Sequence, residues 1–419
     1  MHRVRMVLPF MKDTGWNCEV LAVTPQSVSM PIDVWMEAGI PGDIPVHRVQ
    51  AAALRWAAVP GLGSLDVRAL RILRRTGDRL LASGRFDIVY FSTTAFGLHV
   101  LGPHWRGRYN VPFVMDYQDP WVTDYYREHP DVVPPGGRLK YAVADCISRY
   151  REPRVLKHCS GITTVSEKYP QQLQQRYPFT ANLPATVLPF PGAPRDLQRV
   201  VADGITQSCF DSNDGRQHWV YVGVSGPIMR HSLSALFSAI RTHADQHPEF
   251  LENTRLHFIG TSYAAAGTAA PVVLPIAREF GLETLVEEQT DRVTYSEAMR
   301  CLVDADALLV PGSDESGYNA SKLFPYLLAR KPTLIIFHRD SPVFRLVSEV
   351  AGATLVGFRD DQSRDDIAAQ IRKAWLDDQS YRNVVPLNDD QIQPYTDAGQ
   401  SRVLGEFFDR VTDQHRVAA

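Results

Sequence analysis

The sequence predicts an α/β protein with two domains, each built on a parallel sheet covered by helices on both faces. Its 419 residues correspond to two or three domains at about 150 residues each. Short apolar runs alternate with helical patterns along the whole chain, which is typical of parallel sheets with helical crossovers. A polar stretch at 192–216 interrupts this alternation near the middle. We therefore expect two sheet domains joined by a hinge.

The first half contains apolar runs with the length and composition of buried strands. They lie at 19–23, 46–49, 87–91, 112–116, 161–165 and 185–188. Helical patterns separate them, near 3–12, 66–82, 95–101, 139–158 and 166–176.

The second half repeats this pattern. Its predicted strands are 218–223, 255–259, 284–287, 307–311, 333–337 and 354–356. Its predicted helices lie near 231–245, 271–280, 294–303, 322–330, 341–350 and 364–377.

These elements predict the domain boundaries. We expect a first Rossmann-like domain at 1–195, a linker at 196–216, a second Rossmann-like domain at 217–390 and a C-terminal segment at 391–419. The helical part of that segment crosses back to brace the first domain. Parallel sheets bind ligands at the carboxyl ends of their strands, so function is expected in the loops that follow the strands.

The amino terminus departs from this pattern. A helix at 3–12 precedes the first strand, whereas a doubly wound domain usually opens with a strand and a loop. Two interpretations account for this. We favour a true start codon further upstream, and the alternative is a sheet that tolerates an exposed edge.

Composition excludes several classes of function. The net charge of −3 gives no overall field for nucleic acid. The five scattered cysteines contain no metal-binding pair and are typical of a reducing compartment. We find no secretory signal and no apolar stretch near the roughly 18 residues that cross a bilayer. We expect a cytoplasmic protein.

The segment 307–332 has the pattern of an anion cradle. It comprises a buried strand, a loop rich in Gly, Ser and Asp, and a helix. Ser321 is the predicted N-cap, which places Lys322 and Leu323 in the first turn, where backbone N–H groups and the helix dipole favour a phosphate. The alternative is an ordinary capped helix with Lys322 in water.

A second loop follows the predicted strand 218–223. Gly223 and Gly226 permit the close backbone approach that a phosphate-holding turn needs. Arg230 would grip a phosphate through two hydrogen bonds. The alternative is a simple turn at Gly226 and a solvated Arg230.

In the first domain, polar and aromatic residues follow the predicted strand 112–116. They are Asp116, Gln118, Asp119, Trp121 and Asp124. Carboxylates accept hydrogen bonds from sugar hydroxyls, and an aromatic ring covers an apolar sugar face. A carboxylate such as Asp119 also stabilises a positively charged sugar ring in a transition state. The alternative is structural capping by Asp119 ahead of Pro120.

We expect no metal site. Asp304 and Asp306 resemble a metal-binding DxD pair, but they precede a predicted buried strand, at the end opposite to catalysis, and we interpret them as the end of a helix. The histidines form no close ligand set.

The arginines at 68, 71, 75 and 79 recur at helical spacing. Together with the apolar segment 51–65, they fit contact with an anionic membrane at its inner face. A solvated helix face is the simpler interpretation.

In order, these segments resemble the group 1 family of retaining glycosyltransferases with the GT-B fold, in which two Rossmann-like domains face a cleft. The likeness rests on HRVRMVLPFMKDTGWNCEVLAVTP, SGITTVSEKYPQQL, VLPFPGAP, HWVYVGVSG, and DADALLVPGS followed by SKLFPYLLARKPTLIIF. It implies that the second domain binds a nucleotide-sugar and the first holds the acceptor. It also implies a strand and a glycine-rich loop before the opening helix.

The resemblance implies roles for one loop. Asp314, Glu315, Gly317 and Asn319 lie in the loop that would face the donor sugar, and the helix start at Ser321 would face its diphosphate. The family commonly has two glutamates where this sequence has Gly317 and Pro325. Asp314 or Glu315 would take the place of the first glutamate, and Arg230 is the candidate for the diphosphate-binding cation.

We therefore expect a glycosyltransferase. It moves a sugar from a nucleoside-diphosphate sugar to a hydroxyl of a glycan or lipid-linked acceptor, with retention of configuration. It needs no cofactor, because fixed cations replace a metal. Two alternatives stay open: a nucleotide-sugar 2-epimerase on the same fold, and a non-catalytic sugar-binding or scaffold protein.

Overall fold

The computed structural model describes residues 2–28, 32–53, 63–134, 137–313 and 323–418. The chain forms two compact units. The first comprises Met1–Phe190 together with Ala398–Ala419, and the second comprises Pro191–Asp397.

Parallel strands organise the first unit. They are β1 (Val20–Val23), β2 (Val46–Val49), β3 (Val89–Phe91), β4 (Phe113–Tyr117), β5 (Gly161–Thr164) and β6 (Ala185–Val187). β1 pairs with β2, and the other four form a sheet in the order β3-β4-β5-β6. Among the described residues no ladder joins β1 to β3.

Helices follow most of these strands. They are α1 (His2–Met11), α2 (Val34–Glu37), α3 (Leu65–Leu81), α4 (Leu101–Tyr109), α5 (Tyr125–Glu128), α6 (Arg138–Leu156) and α7 (Lys168–Arg176). The predicted helix at 95–101 is a 3₁₀-helix, Phe96–Val100, that runs into α4. Further 3₁₀ turns lie at Lys12–Thr14, Pro25–Ser27 and Pro178–Thr180. The sequence did not predict α2, α4 or α5.

The strand β4 shows how the first sheet separates two cores. Its residues are all buried, as expected when both faces of a parallel sheet are covered. Phe113, Met115 and Tyr117 pack into one apolar cluster with residues of α3 and α4. Val114 faces the other cluster, with residues of α1.

The second unit contains one parallel sheet. Its strands are β7 (Gln217–Val222), β8 (Thr254–Ile259), β9 (Val286–Gln289), β10 (Ala307–Pro311), β11 (Thr333–His338) and β12 (Thr354–Phe358). Their order is β12-β11-β10-β7-β8-β9, which is the doubly wound order with a reversal between β7 and β10.

The helices of the second unit cover that sheet. They are α8 (Pro194–Ala202), α9 (Arg230–Gln246), α10 (Glu249–Asn253), α11 (Leu274–Arg278), α12 (Tyr295–Asp304), α13 (Leu323–Leu328), α14 (Pro342–Val350), α15 (Arg364–Ile371) and α16 (Asp389–Ile392). A π-helical turn, Arg372–Asp377, extends α15, and 3₁₀ turns lie at Pro227–Met229, Ser380–Arg382 and Gln393–Tyr395.

The helix α8 lies inside the segment predicted to form the end of the first domain and the linker. Leu197 and Val200 are buried, and Tyr295 at the start of α12 donates a hydrogen bond to Asp196 (3.0 Å). These contacts place α8 in the second unit. A charged helix with one apolar face was therefore mistaken for a hinge.

The C-terminal helix α17 (Asp397–Ala418) packs on the first unit. Leu404, Phe407, Phe408 and Val411 share an apolar cluster with Val7 and Met11 of α1, Val114 and Leu188. This confirms the predicted return of the C-terminal helix to the first domain. Of the helices described, none combines the length and the apolar character needed to cross a membrane.

A histidine lies in the core of the first unit. His99 is 1% exposed, its ring packs edge-on against Phe91, Phe96 and Trp121, and within the described part of the chain neither ring nitrogen has a hydrogen-bond partner. Burial lowers its pKa from 6.5 to about 3, so the ring stays neutral in the folded protein.

Replacing this ring should alter how stability depends on pH. The unfolded chain takes up a proton on His99 below about pH 6.5 and the folded chain does not, so wild type loses up to about 1.4 kcal/mol per pH unit as pH falls from there. We expect His99→Leu to lack this loss, so that the free energies of unfolding shift in favour of the variant between about pH 6.5 and 5. Denaturant unfolding of both proteins measures it. Parallel pH profiles would contradict it.

Candidate functional site

The carboxyl ends of β3 to β6 meet at a buried ion pair. Arg3 of α1 and Asp116 of β4 are both fully buried, and Nε of Arg3 lies 2.7 Å from Oδ2 of Asp116. Arg3 also donates a hydrogen bond to the carbonyl of Leu188 (2.6 Å), which follows β6. A charged pair without water is stable only when its remaining hydrogen-bonding capacity is used.

Side chains from neighbouring strands use that capacity. Ser92, which follows β3, and Gln118, which follows β4, donate hydrogen bonds to Oδ2 of Asp116 at 2.9 and 2.7 Å. Thr163 of β5 donates to Oδ1 at 2.9 Å. We call Arg3, Ser92, Asp116, Gln118 and Thr163 the Asp116 hub. Because protein groups occupy the carboxylate of Asp116, it does not accept the hydrogen bonds from sugar hydroxyls that were predicted.

The loop after β4 distributes its predicted site residues differently. Trp121 is 8% exposed and stacks on Phe96 (ring centroids 5.8 Å apart), so its ring belongs to the core instead of covering a sugar. Gln118 is half-buried in the hub. Asp119 is exposed, and its negative charge adds to the effect of burial in raising the pKa of Tyr169. Of the three predicted carboxylates, Asp116 is buried, Asp119 is exposed, and the Asp124 side chain is 37% exposed.

Two arginines anchor the end of this loop. Asp124 accepts hydrogen bonds from Arg149 of α6 (2.5 Å) and from Arg176 of α7 (2.6 Å). The hydrogen bond from Arg149 lowers the pKa of Asp124. Arg176 also donates to the carbonyl of Val122 (2.9 Å). Asp124 therefore fixes the loop that carries Asp119 instead of offering its carboxylate to a ligand.

In the second unit, the loops after β7 and β10 lie side by side. Ser232 of α9 is fully buried and donates a hydrogen bond to the carbonyl of Gly312 (2.7 Å), which follows β10. Tyr326 of α13 hydrogen-bonds the backbone of Val222 at the end of β7. Because β7 and β10 adjoin where the strand order reverses, this is the position at which doubly wound sheets bind ligands.

Gly312 has no room for a side chain. A Cβ there would lie 2.5 Å from the carbonyl oxygen of Ile336 and 2.6 Å from the ring of Phe337. Gly226 differs, because a Cβ there would meet nothing within 4 Å. Gly223 donates its N–H to Ile259 (2.8 Å). The close approach at Gly312 is therefore to β11 of the protein itself, and the approach of a phosphate to Gly223 and Gly226 stays a prediction.

The turn between β7 and α9 contains a buried hydroxyl. Ser225 is 7% exposed, and its N–H donates to the carbonyl of Thr261 (3.0 Å). Its Oγ has no hydrogen-bond partner among the residues that the structure describes. A buried hydroxyl without a described partner is unfavourable, and this one lies in the turn that leads to α9.

Arg230 forms an ion pair with a glutamate, whereas it was predicted to bind a phosphate. Its guanidinium binds both carboxylate oxygens of Glu279, at 2.6 and 2.8 Å. It lines an open groove of about 360 Å³ with His231, Phe280 and Arg364. Arg230 and Ser232 lie about 200° apart around α9, so Arg230 is not on the helix face that meets Gly312.

Most of the predicted donor loop lies outside the described residues. This applies to Asp314, Glu315, Gly317, Asn319, Ser321 and Lys322. Leu323, which follows them, is buried at the start of α13. Its burial supports a role in packing α13.

Asp304 and Asp306 have structural partners. Asp304 ends α12 and pairs with Arg300 (2.8 Å), and Asp306 accepts the backbone N–H of His218 (2.8 Å). This confirms their predicted place before a buried strand. The described ranges contain no group of three or more His, Cys, Asp or Glu side chains suited to a metal ion.

Sequence reasoning missed residues that define both edges. These are Arg3, Ser92, Thr163, Ser225, Ser232, Gly312 and Tyr326. The signal for Gly312 was available, because it follows a buried strand directly. Nothing in the local pattern marks Arg3, whose partner is 113 residues away.

Removing one charge of the hub should destabilise the protein strongly. Arg3→Met leaves the buried Asp116 carboxylate without its cation, so we expect a loss of about 3–5 kcal/mol in the free energy of unfolding. Denaturant unfolding measures it. The control is Arg416→Met, which breaks a pair with Asp87 whose side chains are both more than half exposed; little change is expected there. Equal effects of the two substitutions would contradict the importance of the buried pair.

Comparison with known proteins supports the fold. No family model matches the sequence, and no curated protein matches it. Anabaena Alr3699/HepE in complex with UDP matches with a TM-score of 0.51 at 12% identity, over 99% of this chain and 95% of that chain. A UDP-forming α,α-trehalose-phosphate synthase from Burkholderia xenovorans matches with 0.54 at 12% identity, over 99% and 96%.

A third solved structure, a UDP-N-acetylglucosamine 2-epimerase, matches with a TM-score of 0.52 at 16% identity, over 99% of this chain and 91% of that chain. At these identities the likeness concerns the fold. The α/β class with two Rossmann-like domains, predicted from the sequence, is thereby confirmed.

Proposed function

We propose that the protein is a glycosyltransferase that moves a sugar from a nucleoside-diphosphate sugar to a hydroxyl acceptor with retention of configuration. The acceptor is a glycan or a lipid-linked molecule, in polysaccharide biosynthesis at the cytoplasmic side of a membrane. The donor occupies the second unit, and the first unit holds the acceptor.

The observation that supports this proposal most is the edge where β7 adjoins β10. Gly312 lets the backbone after β10 pack closely on β11, the buried hydroxyl of Ser225 has no partner among the described residues, and α9 starts after the short 3₁₀ turn that follows the β7 loop. Backbone N–H groups and a helix amino terminus favour an anionic ligand. A nucleoside diphosphate carries such an anion. Nucleotides bind doubly wound sheets at the point where the strand order reverses.

The proposed chemistry is electrostatic. As the bond from C1 to the leaving oxygen lengthens, negative charge grows on the diphosphate and positive charge grows on the sugar ring. Lys322, Ser321 and the backbone at the β7 and β10 loops would stabilise the first charge. The exposed Asp119 would stabilise the second. In this proposal Lys322 and backbone N–H groups take the place of a divalent ion, so chelator should leave turnover intact.

The loop before α13 would hold the donor sugar through Asp314, Glu315, Gly317 and Asn319. The similarity of the fold to HepE, whose crystal structure contains UDP, supports a nucleotide donor.

A second candidate is a nucleotide-sugar 2-epimerase. The likeness to a UDP-N-acetylglucosamine 2-epimerase, with a TM-score of 0.52, favours it. Such an enzyme must remove and return a ring proton, which requires a positioned acid and base. The remaining alternative is a binding protein without turnover, because Gly317 and Pro325 replace the glutamates of the resembled family.

Isotope-labelled nucleotide-sugars separate the three functions. Sugar transfer to an acceptor, or slow hydrolysis of the donor, supports the glycosyltransferase. Exchange of the C2 hydrogen with solvent identifies the epimerase, and binding without either reaction identifies the binding protein.

In the glycosyltransferase case, Asp119→Asn should abolish most transfer while donor affinity stays unchanged, because the carboxylate acts on the ring in the transition state.

The predicted role of Arg230 in binding the diphosphate is tested by removing its ion-pair partner, Glu279. If Arg230 grips the diphosphate, Glu279→Gln removes its competing partner and should tighten donor binding, whereas Arg230→Ala should weaken it by about tenfold. Titration of nucleoside diphosphates into each variant measures both effects. Unchanged affinity in both variants would assign Arg230 to the surface pair with Glu279 alone.

A further inference from the structure

The helix α6 exposes a stripe of large apolar side chains. Leu139, Val143, Ile147 and Tyr150 are 83%, 56%, 44% and 60% exposed. At about 100° per residue they fall within about 80° of arc, so they line one face along a helix of 19 residues, about 28 Å long. Surface apolar residues are normally scattered singly, and a continuous stripe therefore indicates an interaction surface.

Every exposed charged residue of α6 is basic. Its acidic residues, Asp145 and Glu152, are buried. The exposed charged side chains are basic, with Lys140 near the amino end of the stripe and Arg154 and Lys157 at its carboxyl end. Arg138 lies off this face and donates a hydrogen bond to the carbonyl of Pro130 (2.7 Å). Arg154 lies over the ring of Tyr150, 3.3 Å from its centroid. The stripe is therefore apolar along its length and cationic at both ends.

An exposed aromatic ring lies beside Lys157, at the carboxyl end of the stripe. Phe179 is 47% exposed, and Lys157 lies over its ring at 5.7 Å. Aromatic rings and long basic side chains are suited to the boundary between acyl chains and headgroups, because each combines an apolar body with a polar tip.

The helix α3, whose arginines fit contact with an anionic membrane in the sequence, lacks such a stripe. Its exposed face carries Arg71, Arg74, Arg75 and Arg79, and Val67, 41% exposed, is its one large exposed apolar residue among those described. Arg68 is occupied by the carbonyls of Ala52 and Ser27. This helix has charge without apolar surface.

The charge pattern decides what covers α6. A second copy packed symmetrically and antiparallel on the stripe would bring the cationic ends together, and like charges at such an interface are unfavourable. An anionic bilayer satisfies both features, because it accepts apolar side chains at the acyl boundary and attracts basic side chains through its surface potential.

We propose that α6 docks on an anionic phospholipid bilayer, parallel to its surface, with Leu139, Val143, Ile147 and Tyr150 inserted. The inference rests on the surface of α6 and holds whether or not the proposed transfer reaction is correct. Arg149 of α6 binds Asp124 in the loop that carries Asp119, so docking would also bring that loop near the headgroups, where a lipid-linked acceptor presents its hydroxyl.

Vesicle flotation of the full chain tests the proposal. We expect binding to vesicles of phosphatidylglycerol and phosphatidylcholine at least about tenfold tighter than to phosphatidylcholine alone, weakening as salt rises. The triple variant Leu139→Ser, Val143→Ser, Ile147→Ser and the double variant Lys140→Glu, Lys157→Glu should each reduce this binding by about tenfold or more.

The matched controls lie on α3. Val67→Ser and the double variant Arg71→Glu, Arg75→Glu change the same chemistry on the other exposed helix and should leave binding within about twofold of wild type, because α3 has no apolar stripe to insert. Thermal melting checks that each variant is folded, which is expected because every changed side chain is exposed or half-exposed.

Three results would overturn the proposal. They are a wild-type chain that does not float with anionic vesicles, equal losses in the α3 and α6 variants, or an α6 variant that changes a dimer into a monomer in light scattering while vesicle binding is absent in both forms. The last result would assign the stripe to a second copy of the chain. Nucleotide-sugar turnover is measured separately, in detergent-free solution with a water-soluble acceptor, so failure of docking and failure of transfer are distinguishable.

Discussion

The first unit depends on placing one ion pair where water cannot reach it. Arg3 and Asp116 stabilise the fold only together, because either charge alone would remain buried without compensation. Their partners come from the carboxyl ends of neighbouring strands. The pair also fixes the register of β4, since a shift by one residue would turn Asp116 toward the apolar cluster that holds Met115 and Tyr117.

The second unit brings its strand ends together by a different means. Gly312 allows the backbone after β10 to pack against β11, and Ser232 ties its carbonyl to α9. These contacts involve only backbone groups and a hydroxyl. They therefore place no negative charge at this edge that would repel an anion. The charged hub of the first unit, in contrast, is satisfied internally, and Asp119, which follows β4, is exposed.

The sequence was sufficient for the strands and insufficient for the sites. All twelve predicted strands occur, because buried parallel strands are short apolar runs that need no partner information. The Asp116 hub was missed because Arg3 and Asp116 are 113 residues apart. The prediction that the Trp121 ring faces a ligand is wrong, because the sequence does not show that Phe96 stacks on it. The helix α8 was missed because its charged face resembles a linker.

The central claim is that the edge at β7 and β10 holds a nucleoside diphosphate mainly through its phosphates. Calorimetric titration of the full chain with nucleoside diphosphates and with the matching free nucleosides tests this most directly. We expect the diphosphate to bind at least about tenfold more tightly than the nucleoside, because its charge meets backbone N–H groups and a helix terminus. Equal affinities, or binding of neither compound, would contradict the claim.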